Sequence, residues 1–477
     1  MTQLTAVVMA AGYGTRMKSS TPKVLHFAAG RPILYYPVRA ALDAGAQRII
    51  VVVNPETRDA IKQALDSNFQ GSEIVLATQE VPRGTGDAVR AALTGTDWTE
   101  STWAPGERVL ILSGDTPLLE ASDLASITSS LDGGHVLSFL SFAPPDPTGY
   151  GRVLRDEAGQ PRAIREQRDL SGPGELAVRE VNAGMYAVDA RALLEAVTGL
   201  SNDNAQGEYY LTDIVPKLAA RGIVSAHSVS SEAALGVNHR GELHAAQEVL
   251  FARIRARLGR DGVTIIGRPL IDDTVNVAPD AMIEDGVRLR GKTMIGARTR
   301  VDVGCVIDNC ALGENVYVKP YSMLSASEVG NGAQIGPFSH LRPGSVLENE
   351  VHVGNFVETK NSRMRRGSKA NHLAYLGDGD VGEKANIGAG TIFCNYDGFS
   401  KHRTVIGARA FVGSDSQLVA PVTVGDDAYV ATGTTVTADV PPGALAMGRV
   451  RQENKLGYAD QLRGRLRATA AASRGQK

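Results

Sequence analysis

The apolar positions change period about halfway along the chain. In the first half they form short continuous runs: Ala6-Val7-Val8-Met9, residues 49–53, Ile74-Val75-Leu76 and residues 109–112. Such runs predict strands covered on both faces. Residues 37–45, 57–66 and 86–93 between them predict helices. The alternation implies an α/β unit with a mostly parallel sheet, in which ligands sit beyond the carboxyl ends of the strands. From Ser231 to about Gly259 the spacing of Leu243, Leu250, Ile254 and Leu258, with Arg253, Arg255 and Arg257 interleaved, predicts one long amphipathic connecting helix.

In the second half an apolar residue recurs at every sixth position: Ile265, Ile271, Val277, Ile283, Leu289, Ile295, Val301, Ile307. The phase slips by one and resumes at Leu312, Val318 and Leu324. It slips again and continues at Val329, Ile335, Leu341, Leu347 and Val353, then returns from Ile406 to Val436. Six fits neither the helical period nor the alternation of a half-buried strand. It fits a three-sided β-helix in which three hexads make one coil, with on the order of ten coils in all. The aliphatic residue is expected to face the axis. The glycine that often follows it, as in Ile295-Gly296 and Val353-Gly354, is expected to let the chain turn a corner.

Residues 359–376 break the hexad phase, and residues 393–403 form a second irregular stretch. Insertions in a solenoid become loops on one face and often mark its binding side. These two carry Lys360, His372, Tyr375, Asn395, Tyr396 and Lys401. The segment after Gln452 is basic and alanine-rich and is expected to be a mobile end.

With 477 residues, two or three domains are expected. Fifty basic residues against 52 acidic ones leave a net charge of −2, so there is no global pull toward nucleic acid or anionic membranes. Cys305, Cys310 and Cys394 make neither a disulfide framework nor a zinc motif, and are expected to be reduced thiols in a cytosol. The first residues have no basic run of the kind that opens a signal peptide, and no apolar stretch approaches the ~20 residues that span a bilayer.

The turn after the first strand, Met9-Ala10-Ala11-Gly12-Tyr13-Gly14-Thr15-Arg16-Met17, is neither a dinucleotide fingerprint nor a P-loop. Its two glycines still let backbone N–H groups approach an anion, and Arg16 and Lys23 add positive charge. Gln79 and Gly84-Thr85-Gly86-Asp87 follow another strand. Ser113-Gly114-Asp115 ends a third, which places Asp115 where a carboxylate could hold Mg²⁺ on nucleotide phosphates. Each feature has a plainer role open to it: a βα turn, a helix cap, a loop histidine at His372, solvated corner residues at Arg342, Lys360 and Lys401.

The ordered set Ala10-Ala11-Gly12-x-Gly14-Thr15-Arg16-Met17, Pro22-Lys23-Val24-Leu25, Gly84-Thr85-Gly86, Gly114-Asp115, Gly149-Tyr150-Gly151-Arg152, Glu166, Asn182-Ala183-Gly184, residues 206–210 and Gly236-Val237-Asn238 resembles the sugar-phosphate nucleotidyltransferases. Joined to hexads, it resembles the bacterial bifunctional N-acetylglucosamine-1-phosphate uridyltransferase/glucosamine-1-phosphate acetyltransferase family, from about Leu4 to Arg451. The resemblance implies a Rossmann-like uridyltransferase domain over residues 1–229, a linker helix over 230–259, a left-handed β-helix acetyltransferase over 260–450 and a basic tail over 451–477. It implies a cytoplasmic homotrimer that makes a cell-wall precursor.

By the same resemblance, Met9, Ala10, Ala11, Gly12, Lys23, Gln79, Gly84 and Thr85 hold the uridine nucleotide, and Gly151, Glu166 and Asn182 the amino sugar. Asp115 and Asn238 coordinate Mg²⁺, and Arg16 and Lys23 contact the phosphates. In the second half His372 would be the base that frees the attacking amine, a task suited to a histidine near neutral pH. Arg342, Lys360, Tyr375 and Asn386 would bind glucosamine 1-phosphate. Ala389, Asn395, Tyr396, Ser414, Thr432 and Arg449 would line the acetyl-CoA groove. Ser113 departs from the tyrosine common at its position, and Thr432 from a common alanine. Two rival readings remain open: a nucleotidyltransferase whose solenoid has another acyl acceptor or none, and a solenoid that only trimerises.

Overall fold

The computed structural model describes residues 3–98 and 100–474. The chain divides into two compact units, one of Met1–Asp261 with Leu270–Val275, the other of Gly262–Pro269 with Asn276–Lys477.

In the first unit, seven strands form the sheet path Val224–Ser228, Leu137–Phe142, Val181–Asp189, Arg108–Ser113, Leu4–Met9, Arg48–Val53, Ile74–Thr78. The last four pair in parallel, and Val181–Asp189 is antiparallel to both neighbours. The continuous apolar runs are covered on both faces as expected. Val7, Ile50, Val52, Val109 and Ile111 enter one core cluster, while Ala6, Val8, Ile49, Val51 and Leu110 enter another. The expected helices are present as Tyr35–Asp43, Arg58–Asn68 and Thr85–Thr94. The first starts before Pro37, because the opening N–H groups of a helix have no intrahelical partner and a proline among them removes no bond.

The connecting helix is shorter than expected. It spans Arg240–Arg260 rather than starting near residue 230. His239 caps it: its ring accepts from the Glu242 N–H at 3.2 Å, and a Glu242 carboxylate oxygen accepts from the His239 N–H at 3.2 Å. The residues just before are diverted, with the Val237 N–H bonded to the Asp115 carbonyl at 2.8 Å.

The second unit is a left-handed parallel β-helix of three sheets. One is built from rungs such as Gln334–Ile335, His352–Asn355, Lys369–His372, Asn386–Ile387 and Phe411–Val412, each paired in parallel with the next. Ile283, Leu289, Val301, Ile307, Val318 and Leu324 face the axis and are buried. Cys305 and Cys310 are also inside, where burial pushes their thiols up to about 11.

Two expectations about this unit are corrected. The break at residues 359–376 is not a loop: Glu358–Lys360, Arg363–Met364, Lys369–His372 and Tyr375–Gly377 continue the coils. Thr359, Met364, Ala370 and Leu376 are the buried inward residues. Thr and Ala hide the hexad signal, and a five-residue side shifts its phase. Of the two irregular stretches, it is residues 395–403, between the strands Ile392–Cys394 and Thr404–Ile406, that leave the coil.

Nor do most glycines after inward aliphatics turn corners: Gly296, Gly354 and Gly413 have no left-handed φ, whereas Gly336, at φ 92, does. The corners use left-handed residues such as Asp280, Arg298, Asn315 and Glu350. Gly296 and Gly354 are glycine because coils stack closely there: an added Cβ would run into the Gly313 and Asn371 carbonyls, respectively. The segment expected as a mobile end carries a helix, Tyr458–Arg474. Among the described residues no helix is long and apolar enough to cross a membrane.

Candidate functional sites

At the carboxyl edge of the first sheet the strand Leu4–Met9 runs into a turn. The Ala10 N–H is anchored on the Val52 carbonyl at 2.8 Å. Gly14 takes φ 61, and a Cβ there would strike the Lys23 Cβ, so the glycine lets the Lys23 segment close over the turn. Beside it lies a cavity of about 280 Å³ lined by Met9, Ala10, Ala11, Gly12, Lys23, Gln79, Gly84, Thr85 and Asp115, which gathers nine of the expected residues. Gln79 is buried and donates to Asp87 at 2.9 Å and to the Gly84 carbonyl at 3.2 Å. Gly84 has φ 108 and lies against the Tyr209 backbone, where a Cβ would approach the carbonyl oxygen to 2.6 Å. The Thr85 hydroxyl accepts from the Leu211 N–H at 3.1 Å.

Four charged or polar groups converge at the mouth. Lys23 Nζ donates to Asp115 Oδ2 at 2.5 Å and to Asn238 Oδ1 at 3.3 Å, and Arg16 donates to Asn238 Oδ1 at 2.8 Å. Asp115 and Asn238 therefore present two oxygens to one cation, the Lys23 ammonium. No group of three His, Cys, Asp or Glu placed to hold a metal ion is present among the described residues. An all-oxygen pair with one carboxylate suits Mg²⁺, which keeps several waters and shares phosphate oxygens, better than a softer metal.

Gly151, Glu166 and Asn182 make a neighbouring group outside that cavity's lining. A Cβ on Gly151 would stand 3.2 Å from Glu166 Oε1, and the Asn182 N–H donates to the Gly151 carbonyl at 2.9 Å. Asn182 also donates to the Tyr186 hydroxyl at 2.7 Å. Burial pushes the Glu166 carboxyl above its usual range, reinforced by Asp169, Asp213 and Glu208 and opposed by a Thr212 hydroxyl bond.

On the β-helix several of the expected acyl-transfer residues occupy one position on successive coils. His372 pairs with Asn355 across adjacent rungs, Ala389, Ser414 and Thr432 follow at the same register coil by coil, and Arg449 stands one residue past that position on the last rung. The Ala389 carbonyl accepts from the Asp415 N–H at 2.7 Å, the Ser414 carbonyl from the Gly433 N–H at 2.9 Å, and the Thr432 carbonyl from Arg449 at 2.5 Å. His372 Nδ1 lies 2.8 Å from Asn355 Oδ1. Asn386 opens the strand before Ala389, beside Phe411 of the next rung.

Across the corner at Leu373, Tyr375 starts the next strand. A Cβ on Gly377 would meet the Tyr375 hydroxyl and Asn395 Nδ2, so these two converge there. Asn395 donates to Asp378 at 2.5 Å. Arg342 pairs with Glu358 at 2.7 Å. The Lys401 and Arg342 charges together hold the Lys360 ammonium below its usual range, the mark of a spot that favours an anion. The loop that brings Lys401 there is closed by a Tyr396–Lys401 bridge and by Asp397, whose carboxylate is held low chiefly by the Ser400 N–H, with His402 and the Phe399 N–H adding to it. His372, Tyr396 and Arg449 are exposed on an open face.

Asn355 and the Ser113 contact were not among the sequence-derived candidates. The coil period could have found Asn355, since it sits one coil before His372. Ser113 stands out only as a departure from a common tyrosine, and nothing in the sequence shows that its hydroxyl turns to Asp115.

Residues 5–233 match the nucleotidyl transferase family, residues 265–365 the GMPPB C-terminal domain, and residues 403–438 the hexapeptide repeat of succinyl-transferase. The chain is 55% identical to the bifunctional protein GlmU of Sorangium cellulosum over 98% of each chain. It is 48% identical to that of Anaeromyxobacter dehalogenans over 100% of this chain and 98% of the relative. It is 44% identical to that of Pelobacter propionicus over 96% of this chain and 98% of the relative.

Proposed function

The chain belongs to the family of bifunctional GlmU proteins, and from that premise we propose how its two centres divide the work. It is a bifunctional transferase: acetyl transfer from acetyl-CoA to glucosamine 1-phosphate, then uridylyl transfer from UTP to N-acetylglucosamine 1-phosphate with release of pyrophosphate. Its partners are small-molecule substrates. We assign residues 1–229 to uridylyl transfer, 260–450 to acetyl transfer, and the reactions to the cytoplasm.

In uridylyl transfer the sugar phosphate's own oxygen attacks the α-phosphorus, so no protein nucleophile is needed. Alignment and charge neutralisation are. The nucleotide lies in the cavity beside Ala10, Gly12, Gln79 and Thr85, and the sugar against Gly151, Glu166 and Asn182. Arg16 and Lys23 hold phosphate oxygens. Asp115 and Asn238 hold Mg²⁺, which when bound offsets the charge of the phosphates. The observation that carries this reading is that Asp115 and Asn238 already share one cationic group at the cavity mouth.

In acetyl transfer the amine must lose its proton to expose a lone pair to the thioester. His372 takes it. With Nδ1–H donating to Asn355 Oδ1, the ring's Nε2 lone pair is free. Arg342, Lys360 and Lys401 hold the sugar phosphate; Tyr375 and Asn386 the sugar. Acetyl-CoA runs along the coil column from Ala389 to Arg449, flanked by Asn395 and Tyr396, with Ser414 steadying the tetrahedral intermediate. The openness of this face in one chain supports a homotrimer in which a neighbouring β-helix completes the groove. So does a bare ladder of stacked corner rings, Tyr321, Phe338 and Phe356, each about half exposed.

The test is to supply glucosamine 1-phosphate, acetyl-CoA, UTP and Mg²⁺, omit each in turn, and identify products by mass. UDP-N-acetylglucosamine should form only with all four. Nucleotide transfer to unacetylated sugar alone, without CoA release, would favour a passive solenoid.

A further inference from the structure

The residue before Gly114-Asp115 is a serine whose hydroxyl is engaged. Ser113 Oγ donates to Asp115 Oδ1 at 2.6 Å while Lys23 Nζ donates to Asp115 Oδ2 at 2.5 Å. Both oxygens of one carboxylate are thus tied, by partners of very different freedom. Ser113 is the last residue of the strand Arg108–Ser113 and stands in register with Met9, so its short side chain has little room to wander. Lys23 carries its charge on a flexible four-carbon stem. The Lys23 and Asp115 side chains are only 15% and 17% exposed, so solvent screens their attraction little.

Lys23 also reaches Asn238 Oδ1 at 3.3 Å, so its ammonium stands between the two oxygens that a hard cation would use. A divalent ion and an ammonium repel at such range, and one must leave for the other to enter.

We infer that Ser113 and Lys23 prepare Asp115 for the metal as a pair. Lys23 is a built-in cation that holds Asp115 and Asn238 in place until a metal ion displaces it, and Ser113 keeps Oδ1 engaged so that Oδ2 alone turns to the metal. The inference rests on the reading of Asp115 and Asn238 as metal ligands. Once displaced, the Lys23 ammonium is free to pair with the phosphates entering the same cavity. Metal and nucleotide then favour each other's binding, because each removes a competitor from the other's partner. Ser113 is a positioning residue: it acts through the carboxylate.

Equilibrium dialysis of Mn²⁺ against the full chain, without UTP and with UTP on both sides, tests this without any turnover. Ser113→Ala should weaken Mn²⁺ binding about tenfold in both conditions, the low end of the effect of losing a partner of a metal ligand. Ser113→Thr, which keeps the hydroxyl, should restore most of it. Lys23→Met should bind Mn²⁺ alone more tightly than the wild type and gain less from UTP. If Ser113→Ala and Lys23→Met both match the wild type while Asp115→Asn loses Mn²⁺, the pairing is overturned and the metal reading stands. If Asp115→Asn binds Mn²⁺ as the wild type does, the metal reading fails and takes the inference with it.

Discussion

His372 Nδ1 sits 2.8 Å from the carboxamide oxygen of Asn355, its partner on the adjacent coil. A carboxamide oxygen accepts only, so the ring must donate from Nδ1, and the tautomer that serves as a base at Nε2 is selected. Asn355→Leu should lower kcat of acetyl transfer roughly 10- to 100-fold, the range for losing a partner that orients a functional histidine. KM for glucosamine 1-phosphate and the uridylyl rate should hold. A thiol-release assay for CoA reads the first two.

The two centres draw on separate stretches of chain. Asp115→Asn should cut uridylyl transfer by about 100-fold or more and spare acetylation. His372→Ala should cut acetylation by roughly 10²- to 10⁴-fold and spare uridylyl transfer. Loss of both activities in either folded variant would refute the division. Chelation of divalent cations should mimic Asp115→Asn, not His372→Ala.

Glu166 titrates in an unfavourable place. Burial, then Asp169, Asp213 and Glu208, raise its folded-state pKa above the ordinary 4.5. A carboxyl raised on folding contributes fully below its unfolded value, and the contribution is lost as pH rises through the folded value. Glu166→Gln removes that loss. Its Tm relative to wild type should therefore climb between pH 4 and pH 7 in thermal scans, while uridylyl transfer falls at least about tenfold from the lost charged hydrogen bond. A Tm difference independent of pH would contradict the assignment.

Gly354 is pressed against the Asn371 carbonyl, next to His372. Gly354→Ala should force the coils apart and cost about 1–3 kcal/mol of β-helix stability. Acetyl transfer should drop with it, and uridylyl transfer should not. If the glycine served only to turn a corner, alanine would be tolerated, since the position has an ordinary negative φ.

Local pattern determined most of the architecture. The runs at Val7-Val8 and residues 49–53 specify a doubly covered sheet because every side chain on both faces must leave water. The sixfold recurrence specifies a three-sided coil because neither the helical period nor simple strand alternation sets a large aliphatic at every sixth residue. Where the inward residue is Thr359 or Ala370, the hydrophobic signal fades and stacking on neighbouring coils decides the conformation. The helix start at Arg240 was likewise hidden, since Val237 is held by the Asp115 carbonyl in the turn after a distant strand.

The site residues could be named from ordered motifs, but their electrostatic relations could not. That Lys23 bridges Asp115 and Asn238 and that Asn355 sets the His372 tautomer depend on distances of a few ångströms between residues separated in the chain, and that Ser113 ties the other carboxylate oxygen depends on how the turn between two near neighbours is folded. Hydrophobic burial is a property of each residue in its own stretch and is written locally. A hydrogen bond belongs to a pair, and only the folded backbone brings the pair together.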